Sequence, residues 1–514
     1  MYAAKPNLPV LGATTVIFSK IDTYGAVGNA DRIWVSTPQN RTYRTWSNMK
    51  VMREGFVTLS SPKSALLSVD EMALFVDYYQ LTMGQADFDA QHNSIITANY
   101  YVREIPQGQY LIAAGLEQVV HYILNLRFTD ATLDWLAERG DLHADYLTSL
   151  KDFRFDGSVF AVPEGTPVFP NEPIINVTGR SRDVQLFETY LLCVMNFQTL
   201  IATKASRIVH AARGKPVFDF GARRAHGRDA GILAARASFI GGASGTSLVL
   251  AGRYFDIPYV GTMAHKFVSE RPTELAAFRD YAAAFPNNTT LLIDTYNTLE
   301  GARNACIVAK EMEARGTRLR AVRLDSGDLL TLSKQVRYIL DAEGLDYVQL
   351  IASHDLDEFQ IDTLLNNGAP FDSFGVGTRL ATGANFNPRT REGAPSALGG
   401  VYKLVESGGR PVGKQSLDEP SKATLPGKKQ IYRLTDAAGN YTKDWVTLWD
   451  EDVAEGESLL IPIIQDGELV SDFPTLRDIQ ARTIAKLKKL PDSHKSLGDA
   501  SPYPVALHSA LRDL

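Results

Sequence analysis

Apolar and polar positions recur along the chain with two periods, and the changes of period mark its organisation. Ordered patterning begins near Leu66. A helical pattern over Leu74–Gln85 gathers Phe75, Tyr78 and Tyr79, and Ile95–Val102 reads as a strand ending at Arg103. Leu111–Leu126 reads as an amphipathic helix, with Leu111, Gly115, Val119 and Ile123 at helical spacing. Short strands follow at Ser158–Val162, Pro167–Phe169 and Ile174–Thr178, with Pro and Gly between them. A long apolar helix, Asp183–Ala202, carries the chain onward.

From there strand and helix alternate. Strands are predicted at Pro216–Phe220, Ile257–Val260, Leu291–Ile293, Leu319–Leu324, Tyr347–Ala352 and Phe371–Phe374. Helices are predicted at Asp229–Phe239, Thr273–Ala284, Leu299–Ala314, Leu329–Leu340 and Asp357–Asn366. This alternation predicts a parallel sheet. The absence of a switch point favours a (β/α) barrel, incomplete or not, and the absence of GxGxxG after the first strand argues against a dinucleotide fold. After Gly399 the pattern returns to strands, Val401–Val405 and Gln430–Leu434. An amphipathic helix, Pro474–Leu490, ends at Pro491, and this tail is expected to pack back on the first domain.

At 514 residues the chain exceeds what one hydrophobic core usually serves. The expected division is a poorly ordered extension over 1–68, an α+β domain with a linking helix over 69–200, a (β/α) barrel over 201–398, and a β and helical segment over 399–514. The extension holds strand-like fragments at Thr14–Phe18 and Arg32–Val35 without a sustained period, and Met49 and Met52 offer alternative starts. A net charge of -6 argues against general nucleic-acid or membrane-surface binding, because both select basic proteins. Cys193 and Cys306 lie in apolar helical runs and read as buried free thiols. No uninterrupted apolar run reaches the roughly 18–20 residues of a membrane span. Pro6 and Pro9 interrupt a signal-peptide pattern, so a cytoplasmic protein is expected.

In a (β/α) barrel the chemistry sits where strands end. Those ends carry Phe220 and Arg223, the loop Gly241–Ser247, Gly261-Thr262 with His265, Asp294, Arg323-Leu324-Asp325 with Asp328, Ser353-His354-Asp355, and Gly375-Val376-Gly377-Thr378. Arg323 and Asp325 are two apart and share one side of their strand, either as a structural ion pair or as site groups. Phe374–Thr378 suits either a plain turn or a nest of backbone N–H groups around an anion. An isolated His265 reads as a core histidine, a nucleophile, a general base or a metal ligand. No HxH or HExxH spacing supports zinc. Its company of acids, an arginine and an anion loop favours the nucleophile.

Eight segments then stand in one order: VDYYQLTM (76–83), DFGARRA (219–225), GGASGTSLVLAG (241–252), GTMAHKF (261–267), IDTYNT (293–298), RLDSGDL (323–329), FGVGTRL (374–380) and LGGVYKLV (398–405). Over roughly residues 70–410 the chain resembles the nicotinate phosphoribosyltransferases. The resemblance implies an irregular (β/α) barrel beside an α+β sandwich built from N- and C-terminal segments, as in type II phosphoribosyltransferases. It implies formation of nicotinate mononucleotide and pyrophosphate from nicotinate and phosphoribosyl pyrophosphate, with ATP hydrolysis coupled through a phosphohistidine at His265. On that basis Asp294 orients the ring, and Asp325 and Asp328 help to hold Mg²⁺ and the ribose or pyrophosphate. Gly375, Gly377 and Thr378 bind the 5′-phosphate, with Arg223 and Thr262 also at the substrate. Tyr79 and Phe220 sandwich the pyridine, the tyrosine coming from the partner of a homodimer. Arg323 faces the nicotinate carboxylate, and Ser247 stands where nicotinamide enzymes carry an acid. The competing readings are a nicotinamide- or quinolinate-using relative and a catalytically silent binding homologue.

Overall fold

The computed structural model describes residues 67–105, 110–384, 396–498 and 500–514, with four two-residue strands before them. The chain divides into two compact units, Met1–Phe56 and Val57–Leu514. In the first, Arg32–Ile33 pairs with Arg44–Thr45 and Ser36–Thr37 with Asn40–Arg41. The rest of the expected extension, Thr14–Phe18 included, lies outside the described residues.

The second unit holds two hydrophobic cores. One fills an antiparallel sheet that runs, edge to edge, through Arg410–Pro411, Gly400–Ser407, Ile95–Val102, Ile175–Arg180, Ser158–Ala161, Ile461–Gln465 and Glu468–Leu469. Two of its central pairings join early and late chain, Ile95–Val102 with Gly400–Ser407 and Ser158–Ala161 with Ile461–Gln465. A second sheet holds Lys429–Thr435 and Tyr441–Leu448, flanked by Glu457–Ser458 and Val505–Leu507.

The other core fills a parallel sheet of six strands: β1 (Val217–Asp219), β2 (Gly245–Thr246), β3 (Thr290–Leu292), β4 (Ala321–Leu324), β5 (Gln349–Ala352) and β6 (Ser373–Val376). Their order is β2-β1-β6-β5-β4-β3, the curved wall of an irregular (β/α) barrel. Helices Arg228–Ile240, Glu274–Ala284, Thr298–Glu313, Leu329–Ala342 and Glu358–Asn366 follow the strands. The second unit is thus an α/β barrel domain beside an α+β sandwich, as expected.

Four sequence expectations are corrected. Leu111–Leu126 is not one helix. Leu111–Ile112 pairs with Pro167–Val168, and Gly115, at φ 110°, turns the chain into the helix Leu116–Asn125. Ile257–Val260 forms no ladder strand, because Pro258 has no N–H to give. Only Tyr259 bridges Thr246, while Gly245–Thr246, read as loop, is a strand. Cys193 is exposed, and Cys306 is buried as expected. The helical run Ser181–Ala211 is long and apolar enough to cross a membrane by composition, yet 67% of its most apolar window is buried inside the protein, which makes it a core helix.

Candidate active site

Strand register brings the site together. Asp219 of β1 lies opposite Thr246 of β2 and Val376 of β6. The residues that follow, Phe220, Ser247 and Gly377, therefore leave the sheet at one level. Leu324 of β4 lies opposite Ala352 of β5, so Asp325 and Ser353 emerge together. Two lobes open at this end of the sheet.

The first lobe encloses about 450 Å³ between Phe220 and Arg223 on one side, Ser247 and Thr262 on another, and His265, Arg323 and Asp325. The second encloses about 410 Å³ and is bounded by Gly375, Gly377 and Thr378 opposite Ser353, His354 and Asp355. Phe220, Arg223, Arg323 and Asp325 line both. Gly375 gives Phe220 its place, since a Cβ there would stand 2.4 Å from the ring.

His265 opens the short helix His265–Ser269. Its Nδ1 lies 3.1 Å from the Thr295 hydroxyl and its Nε2 3.7 Å from Asp325 Oδ2. A carboxylate only accepts, so Asp325 favours the ring proton on Nε2 and leaves the lone pair on Nδ1, to which Thr295 donates. Asp294 does not orient the ring as expected. Its Oδ2 instead accepts the Asp325 N–H at 2.9 Å and the Ser326 hydroxyl at 2.6 Å, which fixes the loop that carries Asp325. Ser353 donates to Asp325 Oδ1 at 2.8 Å, and the His354 ring donates from Nδ1 to the Asp325 carbonyl at 2.8 Å.

Arg323 and Asp325 share the cleft and form no ion pair with each other. Arg323 Nη2 donates to the Met263 carbonyl at 3.2 Å, while its Nε is buried without a partner. Burial pulls the guanidinium below its ordinary value, against the nearby Asp325 and Asp294 carboxylates. The result is a cation with unspent hydrogen-bonding capacity beside an aromatic ring, which is a seat for a small planar anion.

Three expected residues lie apart from both lobes: Asp294, Asp328 and Tyr79. Asp328 caps the helix Leu329–Ala342, accepting the Leu330 and Thr331 N–H groups, and borders a separate apolar hollow. Tyr79 lies on the helix Tyr78–Asp89, 46% exposed, with its hydroxyl on Glu188 at 2.8 Å. Among the described residues no three His, Cys, Asp or Glu side chains converge as a metal site. Sequence reasoning assigned no role to Thr295, His354 or Asp355. Their positions at strand ends were the only signal.

Comparison with known proteins agrees with this geometry. Sequence models match the nicotinate phosphoribosyltransferase N-terminal domain over residues 74–196, the nicotinate phosphoribosyltransferase family over 216–444, and the nicotinate phosphoribosyltransferase C-terminal domain over 454–514. A nicotinate phosphoribosyltransferase of Mycobacterium tuberculosis is 41% identical over 442 residues, covering 85% of this chain and 92% of that protein. The chain belongs to the nicotinate phosphoribosyltransferase family. A family member from Bacillus subtilis is 37% identical over 85% of this chain and 93% of its own. The crystal structure of human nicotinic acid phosphoribosyltransferase superposes with a TM-score of 0.74 at 29% identity, covering 85% of this chain and 98% of that one. The family's fold thus accounts for the barrel and for the sandwich that early and late chain build together.

Proposed function

We propose that the chain joins nicotinate to phosphoribosyl pyrophosphate, giving nicotinate mononucleotide and pyrophosphate, with ATP hydrolysis coupled through phosphorylation of His265. The observation that carries this reading is the Arg323 guanidinium, whose Nη2 is on the Met263 carbonyl and whose Nε has no partner, in the same lobe as Phe220, where a pyridine carboxylate finds both an aromatic face and a cation. Ser247 lines the same lobe and brings no negative charge against that carboxylate. The second lobe offers the Gly377-Thr378 turn to a 5′-phosphate.

The pyridine nitrogen attacks C1 of the ribose, the C1–O bond to pyrophosphate breaks, and the electron pair leaves with the pyrophosphate. Positive charge develops on the sugar, so positioning and electrostatics supply most of the rate. Asp325 lines both lobes and faces that charge. In the coupled step the lone pair of His265 attacks the γ-phosphorus of ATP, and ADP departs.

Magnesium fits only in part. Asp325 would hold it with one carboxylate, the remaining ligands coming from phosphate oxygens and water, as is usual for this ion. Bound there, it would neutralise the leaving pyrophosphate. Asp328 spends Oδ1 on its helix cap and is the weaker candidate. A homodimer completes the base site on this reading. Leu74, Tyr78, Tyr79 and Met83 are all 37–46% exposed, and Tyr79 lines neither lobe of its own chain.

The test uses ATP labelled at the γ-phosphate together with nicotinate or nicotinamide. Acid-labile label on the wild type, its loss in His265→Ala, and nicotinate mononucleotide as product are expected. Equal label on His265→Ala would sink the phosphohistidine, and a preference for nicotinamide would overturn the assignment of the base.

A further inference from the structure

Asp219 closes β1 and is 1% exposed. Among the described residues no basic side chain pairs with it, and a buried carboxylate without a cation is a cost to the fold. Its two oxygens take different partners. Oδ1 accepts the Gly221 N–H at 2.8 Å, which closes the turn that carries Phe220. Oδ2 accepts the Thr246 hydroxyl at 2.8 Å, and Thr246 Oγ1 in turn accepts the Leu248 N–H at 3.1 Å. The Asp219 carbonyl accepts the Ser247 N–H at 2.8 Å. One residue therefore ties the turn bearing Phe220 to the segment bearing Ser247 and Leu248. These segments are two walls of the first lobe. The arrangement leaves no slack, because a Cβ on Gly221 would stand 2.5 Å from the Ala381 Cβ and 3.1 Å from Asp219 Oδ1.

We propose that Asp219 is a positioning residue that sets the separation of Phe220 and Ser247, and through it the affinity for the planar aromatic acid, without touching that acid. The proposal rests on the reading that this lobe holds the pyridine. Burial pushes the Asp219 carboxyl up, and the Gly221 and Thr246 donors hold it down, so the same two bonds that place the walls also offset the cost of burial.

Asp219→Asn, Thr246→Val and Thr246→Ser test the link. Val removes the hydroxyl and retains the branching, whereas Ser retains the hydroxyl. Asp219→Asn and Thr246→Val are expected to raise KM for nicotinate about tenfold, the size of one charge-assisted hydrogen bond. KM for phosphoribosyl pyrophosphate should stay within about twofold, below the effect of one such bond. Thr246→Ser should bring the nicotinate KM back towards the wild-type value. Amide exchange over residues 245–249 should quicken in Thr246→Val and return in Thr246→Ser. Equal rises in both KM values would mean general structural damage and overturn the proposal, as would exchange and kinetics that do not change. Faster exchange with an unaltered nicotinate KM would overturn it too. If Asp219→Asn fails to fold, the Val and Ser pair carries the test. If the wild type makes no nicotinate mononucleotide, the function fails instead, and the exchange experiment still decides whether Asp219 and Thr246 hold the wall.

Discussion

Replacing Gly375 with alanine tests the base wall at its tightest point. The added Cβ would lie 2.4 Å from Cε2 and 2.5 Å from Cδ2 of Phe220. Carbon atoms rest about 3.5–4.0 Å apart, so one partner must retreat by about 1 Å. The backbone is held on both sides, with Gly375 in register with Phe218 and the Phe220 N–H on the Val376 carbonyl at 2.8 Å. Gly375 is not among the residues with positive φ, so alanine meets no backbone obstacle. The Phe220 ring must therefore move. Overpacking of this kind costs about 1–3 kcal/mol of stability. Loss of a stacked ring costs about 0.5–1.5 kcal/mol of base binding, and a 1 Å misplacement near reacting atoms costs up to about a hundredfold in rate. Steady-state kinetics with nicotinate varied at saturating phosphoribosyl pyrophosphate should show KM raised about tenfold. A thermal melt run alongside should show a folded protein of lower Tm. A lower Tm with unchanged nicotinate kinetics would refute Phe220 as the wall against the base.

Arg323→Gln should raise KM for nicotinate about ten- to a hundredfold, the range of a lost charge-assisted bond, while leaving Tm equal or higher because a buried cation without an ion-pair partner is removed. A large fall in Tm with unchanged kinetics would return Arg323 to a structural role. Asp183 supplies a pH test away from the cleft. Burial, and then the neighbouring Asp156, push its carboxyl up to about 6. The folded chain binds this proton more tightly than the unfolded one, so the contribution of Asp183 to stability falls as pH rises from about 4 to about 6 and stays low above. Asp183→Asn should therefore raise stability at pH 8 by about 1 kcal/mol after allowance for solvent screening, and change nothing near pH 3; equal shifts at both pH values would remove the ionisation from the account.

The barrel was legible because its strands and helices obey different periods. β4, β5 and the helices after them fall where apolar spacing puts them. Failures cluster where tertiary contact or a single backbone angle outweighs periodicity. Leu111 and Val119 share a helical phase, yet Gly115 breaks it with a positive φ that its sequence neighbours do not announce. Gly245–Thr246 is too short for a period, and its strand character comes from pairing with β1. The cleft followed from chain order, since residues just past each strand of a parallel sheet must meet at one end. What chain order could not supply was the partner of each group. Thr295 rather than Asp294 stands against His265 because adjacent residues at a strand end point to different sides. Tyr79 is a harder case, because in the proposed dimer it would serve another copy, and within its own chain its exposure is the mark it leaves.

The 3.7 Å between His265 Nε2 and Asp325 Oδ2 bears on the proposed coupling of ATP hydrolysis to nucleotide synthesis. A phosphoryl group on His265 would bring about two negative charges beside the Asp325 carboxylate. With the attacking lone pair on Nδ1 the group would stand across the ring from Asp325, and even at an effective dielectric constant of about 20, repulsion at roughly 7 Å amounts to several kcal/mol. Asp325 cannot simply turn away, because Ser353 holds its Oδ1, Asp294 its N–H and His354 its carbonyl. In the proposed mechanism the phosphorylated state would therefore strain the loop that also lines the second lobe, and relief would come when phosphate leaves or when a cation shields the pair. Neutralising the side chain should remove this strain. Asp325→Asn is expected to accumulate more phosphohistidine at steady state with ATP alone, and to lose nucleotide synthesis because the developing charge on the ribose has no carboxylate to face. Quenched-flow measurement of acid-labile label separates the two effects. Less phosphoenzyme than wild type, formed at an unchanged rate, would mean that Asp325 stabilises the phosphorylated state and that the coupling does not run through repulsion.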